Sequence, residues 1–100
     1  MIRLAVAAAL CLTAVPAFAA DDKTTSCAYQ ADVVAAVRQA RIDRVKEQKV
    51  REKLLAASPS WPESYNAAIP LVTPWVYEMK RRDVVKQDLA AAWKELCLSQ

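Results

Sequence analysis

The sequence predicts an all-α fold, in which two long helices form an antiparallel hairpin, a short helix connects them and one disulfide clamps the open end. The chain has 100 residues and no glycine, so the Asn-Gly turns that typically close tight β-hairpins are missing. The stretch that follows Cys27 is rich in alanine, arginine, lysine and glutamate, which are good helix formers. Cys27 opens the first predicted helix and Cys97 closes the last, so one bridge can hold both.

The first residues are typical of a secretory signal peptide. Arg3 supplies a positive charge, an apolar run follows over residues 4–15, and Ala-Phe-Ala at the end of the segment offers the small residues that signal peptidase recognises. The apolar run is too short to cross a membrane as a helix. We therefore expect residues 1–19 to be removed by cleavage near Ala19. Residues 20–100 are then expected to form a single small helical domain that is periplasmic or secreted.

The cysteines agree with export and predict a disulfide. Cys11 lies inside the apolar run and leaves with the signal peptide. Because Leu10 precedes it, where lipoprotein signals place a small residue, we do not expect a lipid anchor. An even number of cysteines in a small exported domain indicates a disulfide between Cys27 and Cys97, the alternative being two free thiols. Closing a loop of about 70 residues stabilises a domain by about 4 kcal/mol in the chain-entropy model.

The first long helix is predicted to begin with Thr25 or Ser26 as its cap and to run to Ala57, where a Ser-Pro pair ends it. Projected at the helical repeat, one face is apolar. The apolar residues on that face are Tyr29, Val33, Ala36, Val37, Ala40, Val50 and Leu54. Charged residues interrupt the face in the middle, and they are Arg44, Glu47 and Arg51.

The short connecting helix is predicted from Ser60 to Ile69. Ser60 and Glu63 have the spacing of a capping box, and Pro70 is expected to end the helix because the residue before a proline disfavours the helical conformation.

The last long helix is predicted to start with Thr73 as its cap and Pro74 at its first position. We expect it to run to Leu98, with a kink near Asp83. The apolar residues on its inward face are Trp75, Met79, Val85, Leu89, Trp93 and Leu96. Arg82 and Lys86 interrupt this face, as the charged residues do in the first helix.

An antiparallel pair tied at Cys27 and Cys97 brings the two polar interruptions to the same level, with Asp43 beside Arg81 and Arg82. We therefore hypothesise a partly buried charge layer in which Asp43 and Glu47 pair with Arg82, a feature that can fix register. The alternative is that these side chains extend to water around a thin waist.

Missing residue types exclude several chemistries. Without histidine the chain cannot build Ser-His or Cys-His nucleophile systems, a helical two-histidine zinc motif or C-x-x-C-H haem attachment. Without glycine it cannot form a Gly-rich phosphate loop or a dinucleotide fingerprint. The two cysteines also lack the C-x-x-C spacing of redox motifs. We therefore predict that the protein is not an enzyme and uses no cofactor or metal, and export argues against a nucleic-acid partner.

Two groups of residues are candidates for binding. The first is a basic surface on the first helix, formed by Arg38, Lys46, Lys49 and Lys53. It could meet an acidic partner or anionic lipid, the alternative being a plain solvated face. The second is an aromatic group around the prolines, formed by Trp61, Tyr65, Trp75 and Tyr77. It could line a partner groove, the alternative being a satellite core that fixes the short helix.

These features favour a small periplasmic protein that acts by non-catalytic binding. The expected partner is another envelope protein or a second copy of the chain, which could meet the polar middle of the inner faces. Contact with a membrane surface is a further possibility, although the basic surface lacks the tryptophan, phenylalanine and leucine of an inserting helix.

A resemblance suggests an alternative function. Val72-Thr73-Pro74 ahead of a helix and Trp93-Lys94 late in it are similar to stretches of the HdeA-type acid-stress chaperones of the bacterial periplasm. Those proteins are small, exported, all-helical and held by one disulfide, so the resemblance implies a periplasmic acid- or envelope-stress chaperone. The chain departs from that family at its second cysteine, which there follows soon after the helix start and here is Cys97.

Overall fold

The structure of the protein, a computed structural model, describes residues 22–100. The expected signal peptide over residues 1–19, Cys11 and the cleavage site near Ala19 lie outside the described residues. Within residues 22–100 the chain is all-helical and contains no strand, which confirms that the fold is all-α. In the same range no helix combines the length and the apolar character needed to cross a membrane.

Five α-helices and two 3-10 segments make up the fold, where the sequence predicted three helices. In chain order they are α1 (Lys23–Ile42), a 3-10 turn (Glu47–Lys49) that leads into α2 (Val50–Ala56), a 3-10 helix (Glu63–Ala68) that leads into α3 (Ile69–Glu78), α4 (Arg81–Lys86) and α5 (Leu89–Leu98).

The predicted continuous helix to Ala57 is wrong, because α1 ends at Ile42. Arg44 adopts a left-handed conformation with φ of 64°, and the N–H of Val45 donates to the carbonyl of Ala40 at 2.9 Å. The Arg44 N–H also donates to the carbonyl of Arg41 at 3.1 Å, which completes a Schellman motif. A continuous helix would carry the charged residues near Arg44 into the core at a large desolvation cost, and the break leaves them exposed.

The start of α1 also differs from the prediction by a few residues. Asp22, and neither Thr25 nor Ser26, is the N-cap, since its Oδ1 accepts a hydrogen bond from the Thr25 N–H at 2.7 Å. This hydrogen bond lowers the pKa of Asp22 below its usual value, because it favours the charged carboxylate.

The predictions for Pro70 and Thr73 are wrong. Pro70 does not end a helix but lies in the first turn of α3, where its missing N–H has no helical partner to lose. Thr73 is not a cap but is buried inside α3, and its Oγ1 donates to the carbonyl of Ile69 at 2.6 Å. Pro74 lies in the interior of α3 and not at a helix start.

The kink predicted near Asp83 is replaced by two breaks that flank it. The first break lies at Met79 and Lys80, which are both extended, and the second lies at Gln87 and Asp88. Asp88 caps the new helix, since its Oδ1 accepts from the Ala91 N–H at 3.0 Å.

The core lies between α1 and the helices of the C-terminal half. Its fully buried side chains are Ile69, Leu89, Val33, Val34, Val37, Val50, Val72, Val76, Val84 and Cys27. The predicted disulfide is confirmed, with a separation of 5.7 Å between the Cα atoms of Cys27 and Cys97. Val50 and Leu54 of α2 reach the same core, so α2 turns back toward α1 after the break.

Replacing Arg44 with glycine should raise the free energy of unfolding by about 1 kcal/mol. A residue with a side chain pays roughly 1–2 kcal/mol to adopt the left-handed conformation, and glycine avoids this cost. The greater conformational entropy of glycine in the unfolded chain offsets part of the gain. Chemical denaturation followed by far-UV circular dichroism measures the change. In the matched control, Ala35→Gly, glycine enters the exposed interior of α1 and should cost about 1 kcal/mol. An R44G protein no more stable than the parent would contradict this role of Arg44.

Candidate binding surfaces

Arg38 belongs to the predicted basic surface, but its guanidinium is engaged within the fold. Its Nε donates to the carbonyl of Val84 at 2.8 Å and its Nη2 donates to the carbonyl of Val85 at 2.9 Å. These carbonyls lie in the last turn of α4, where a helix leaves its acceptors without helical partners and attracts positive charge. Arg38 therefore caps α4 and is not free to bind a partner.

Arg81 and Arg41 cap two further helix ends in the same way. Nη1 and Nη2 of Arg81 donate to the last carbonyls of α1, those of Arg41 and Ile42, at 2.8 Å each. Nη2 of Arg41 donates to the carbonyl of Met79, at the end of α3, at 3.0 Å. The Arg41 guanidinium also lies 5.2 Å from the ring centroid of Tyr77, a cation–π distance. We call Arg38, Arg41 and Arg81 the arginine clasp.

The absence of glycine from the sequence bears on the arginine clasp. Helices commonly end in a glycine whose left-handed conformation lets the backbone cover its own last carbonyls. This chain has no glycine. Arg44 takes the left-handed position after α1, and guanidinium forks from neighbouring helices cover further carbonyls at three helix ends. One consequence is that helix ends far apart in sequence are tied to one another.

The hypothesis of a charge layer formed by Asp43, Glu47 and Arg82 is wrong. The Arg82 side chain is 71% exposed, and its contact with a carboxylate is to the adjacent Asp83 at 3.8 Å. Asp43 is exposed and accepts a hydrogen bond from Nε2 of Gln39 at 2.9 Å. The predicted position of Arg81 along α1 is nearly correct, because Arg81 lies beside the end of that helix. Its partners, however, are backbone carbonyls and not the Asp43 carboxylate.

The other three residues of the predicted basic surface remain exposed. Lys46 and Lys49 lie on the segment between the α1 break and α2, and Lys53 lies in α2. Lys49 contacts Glu52 at 3.8 Å, an exposed pair that contributes little to stability. We call residues 44–53 the basic arm, since it holds five basic and two acidic residues, a net charge of +3.

The predicted aromatic group does not form one accessible surface. Trp61 is only 8% exposed, and its Nε1 donates to Oδ1 of Asn66 at 2.8 Å, so it is not available to a partner. The Tyr65 ring lies 5.2 Å from that of Tyr29, and the Trp75 ring lies 5.5 Å from that of Trp93. All four side chains are buried or packed against the core, as the alternative of a satellite core expects.

Tyr77, the fourth member of that group, holds the break after α1 in place. Its hydroxyl donates to the carbonyl of Val45 at 2.6 Å. Burial raises the pKa of Tyr77, the nearby Arg41 opposes the shift and the carboxylate of Glu47 adds to it. The phenol therefore stays protonated and keeps its hydrogen bond at neutral pH.

One exposed apolar feature is not among those predicted from the sequence. Ala67, Pro70, Leu71 and Pro74 lie on one exposed side of the 3-10 helix and α3, and Leu71 is 75% exposed. We call these four residues the α3 ridge. Beside it is a cleft of about 370 Å³, lined by α3 and by Glu47, Gln48 and Arg51 of the basic arm. The i, i+3, i+4, i+7 spacing of the ridge could have revealed it, had the helix boundaries been known.

Within residues 22–100 no three histidine, cysteine, aspartate or glutamate residues cluster closely enough to hold a metal ion. No protein family, curated protein or solved structure matches the chain. The stretches that resemble the HdeA-type chaperones lie in different surroundings from those expected. Residues 72–74 are inside α3 and not ahead of a helix, and Trp93 lies in α5 with its Nε1 bonded to Gln30 at 3.1 Å.

Replacing Arg81 with methionine should lower the free energy of unfolding by about 2 kcal/mol, because two carbonyls at the end of α1 lose charge-assisted hydrogen bonds. The neighbouring exchange, Arg82→Met, removes the same charge from an exposed side chain and should change stability by less than about 0.5 kcal/mol. Scanning calorimetry of both variants measures the difference. Equal destabilisation by the two exchanges would show that Arg81 acts through its charge alone and not as a cap.

Proposed function

We propose that this chain is an exported, periplasmic, non-catalytic binding protein that uses the exposed lysines of its basic arm to hold an acidic protein of the envelope. In this proposal the domain is an antiparallel long-helix hairpin, with its open end clamped by the disulfide. The basic arm follows the end of α1 and packs against the core through Val50.

The contacts between α1 and the C-terminal helices support the antiparallel arrangement. Starting from the disulfide, Gln30 bonds Trp93, Arg38 bonds the carbonyl of Val84, and Arg41 bonds the carbonyl of Met79. Residue numbers therefore rise along α1 while those of its partners fall. The disulfide itself is compatible with the oxidising compartment that export would provide.

The observation that carries the proposal is the unneutralised charge of the basic arm. Lys46 and Lys53 are exposed and make no ion pair within the part of the chain that the structure describes. Positive charge that the fold does not use raises the rate and specificity of association with acidic surfaces. Because the Arg38 guanidinium binds backbone carbonyls of α4, the proposed site consists of Lys46, Lys49 and Lys53.

The acid-stress chaperone remains the alternative proposal, and the described residues contain few contacts that acid would break. The two ion pairs, Lys49–Glu52 and Arg82–Asp83, are both exposed. Asp22 stabilises the fold above the pKa that it has when unfolded, and this contribution is lost as the pH falls through its lowered folded pKa. Client aggregation assays across pH separate the two proposals.

The test places a photoreactive phenylalanine at Ala56, an exposed position one helical turn after Lys53, in the protein expressed in its own cells. We expect a discrete adduct with an acidic envelope protein, identified by mass spectrometry. Reversing Lys46, Lys49 and Lys53 to glutamate should reduce the adduct about tenfold, which corresponds to about 1.4 kcal/mol of binding free energy.

The matched control reverses Lys80, Lys86 and Lys94 to glutamate, which changes the net charge equally at exposed positions outside the basic arm. This control should leave the adduct intact. An adduct that both triple variants weaken equally, an adduct with lipid alone, or no adduct from Ala56 would each overturn the proposal.

A further inference from the structure

We propose that the α3 ridge and the cleft beside it form a two-fold contact between two copies of this chain. In this contact, Leu71 of each copy occupies the cleft of the other. The inference goes beyond the proposed function, which concerns the lysines of the basic arm, and it does not depend on it.

The first support is the shape and character of the surface. Leu71 is 75% exposed, which is the greatest exposure of any large hydrophobic residue in the described chain. The cleft of about 370 Å³ lies beside the α3 ridge, whose Pro70 and Pro74 belong to its lining, while Leu71 itself stands outside the cleft. The wall of the cleft that α3 provides is apolar at Ile69, Pro70 and Pro74, so Leu71 of one copy can pack against this wall of the other when two copies meet about a two-fold axis.

The prolines of the ridge favour such a contact. Pro70 and Pro74 have rigid rings, so ordering them in an interface costs little conformational entropy. They also lack an N–H, so an apolar surface can cover them without leaving a buried donor unpaired. The ridge can therefore be covered at low cost.

The second support is charge. Glu47 and Arg51 both line the cleft and lie four residues apart, yet they form no ion pair with each other or with another described residue. If the basic arms of two copies pack antiparallel, Glu47 of each copy lies opposite Arg51 of the other. The two pairs are then equivalent, as a two-fold interface requires.

At the cleft itself this pattern favours a second copy, because the lysines proposed to hold an acidic partner, Lys46, Lys49 and Lys53, do not line it. An acidic protein would meet repulsion from Glu47 at the edge of the cleft, whereas a second copy presents Arg51 there. Leu96 is also exposed, at 60%, beside a cleft lined by Ala92, Glu95 and Ser99. That cleft contains no oppositely charged pair, so Leu96 serves as the control.

The first experiment measures mass by sedimentation velocity over a series of concentrations from micromolar to millimolar. We expect a reversible dimer in the parent protein and a monomer for Leu71→Glu at every concentration. Leu96→Glu, an equal change at the other exposed leucine, should dimerise as the parent does. Because both leucines are exposed, the variants should keep the parent's far-UV circular dichroism.

The second experiment tests the charge pairs. Glu47→Arg and Arg51→Glu should each weaken dimerisation at least tenfold through like-charge repulsion, and the double exchange should restore it to within about threefold of the parent. A monomeric parent, a dimer that survives Leu71→Glu, a dimer that Leu96→Glu disrupts equally, or a double exchange that fails to restore association would each overturn the proposal.

Discussion

The fold depends on the covalent link between the start of α1 and the end of α5. The disulfide joins residues 70 positions apart, a loop length at which the chain-entropy model assigns about 4 kcal/mol. This contribution matters most for α5, in which Leu89 is the one fully buried apolar residue while Leu96 and Leu98 are exposed. Besides Leu89, α5 packs against the core through the half-buried Ala90 and Trp93, and the bridge adds to this packing in keeping α5 against α1.

The arginine clasp holds the helices together at the other end of α1. The chain has no glycine for its helix ends, and arginine side chains add hydrogen bonds to the left-handed turn that Arg44 forms after α1. Arg41 of α1 caps the end of α3 and Arg81 of α4 caps the end of α1, so these three helices are fixed together where they meet. Covalent closure at one end and shared caps at the other hold a small domain whose core consists mainly of valine.

The sequence predicted the features that follow from composition and spacing. The disulfide follows from the two cysteines that lie beyond the expected signal peptide. The position of Arg81 beside the end of α1 follows from the disulfide and the rise per residue of an α-helix. The break after α1 does not follow from the sequence, because charged residues such as those around Arg44 are compatible both with an interruption of a helix face and with the end of a helix. Pro70 was misread because a proline is compatible both with a helix stop and with a first turn.

The arginine partners and the α3 ridge could not be predicted for a different reason. A guanidinium that binds backbone carbonyls leaves no sequence pattern, since the acceptors belong to every residue type. For the same reason Arg82 and Arg81 were indistinguishable in the sequence, although the first is exposed and the second is a cap. The exposure of Leu71 depends on its place in α3. Because the predicted helix begins only at Thr73, the sequence does not assign Leu71 to a helix face.

The most direct measurement is a tryptic map of the native protein, digested without reductant and analysed by mass spectrometry. Cleavage after Lys23, Arg38 and Lys94 leaves Cys27 in residues 24–38 and Cys97 in residues 95–100. We expect these two peptides to appear joined and to separate on reduction. Recovery of both as free thiols, or of either bridged to another molecule, would contradict the clamped fold.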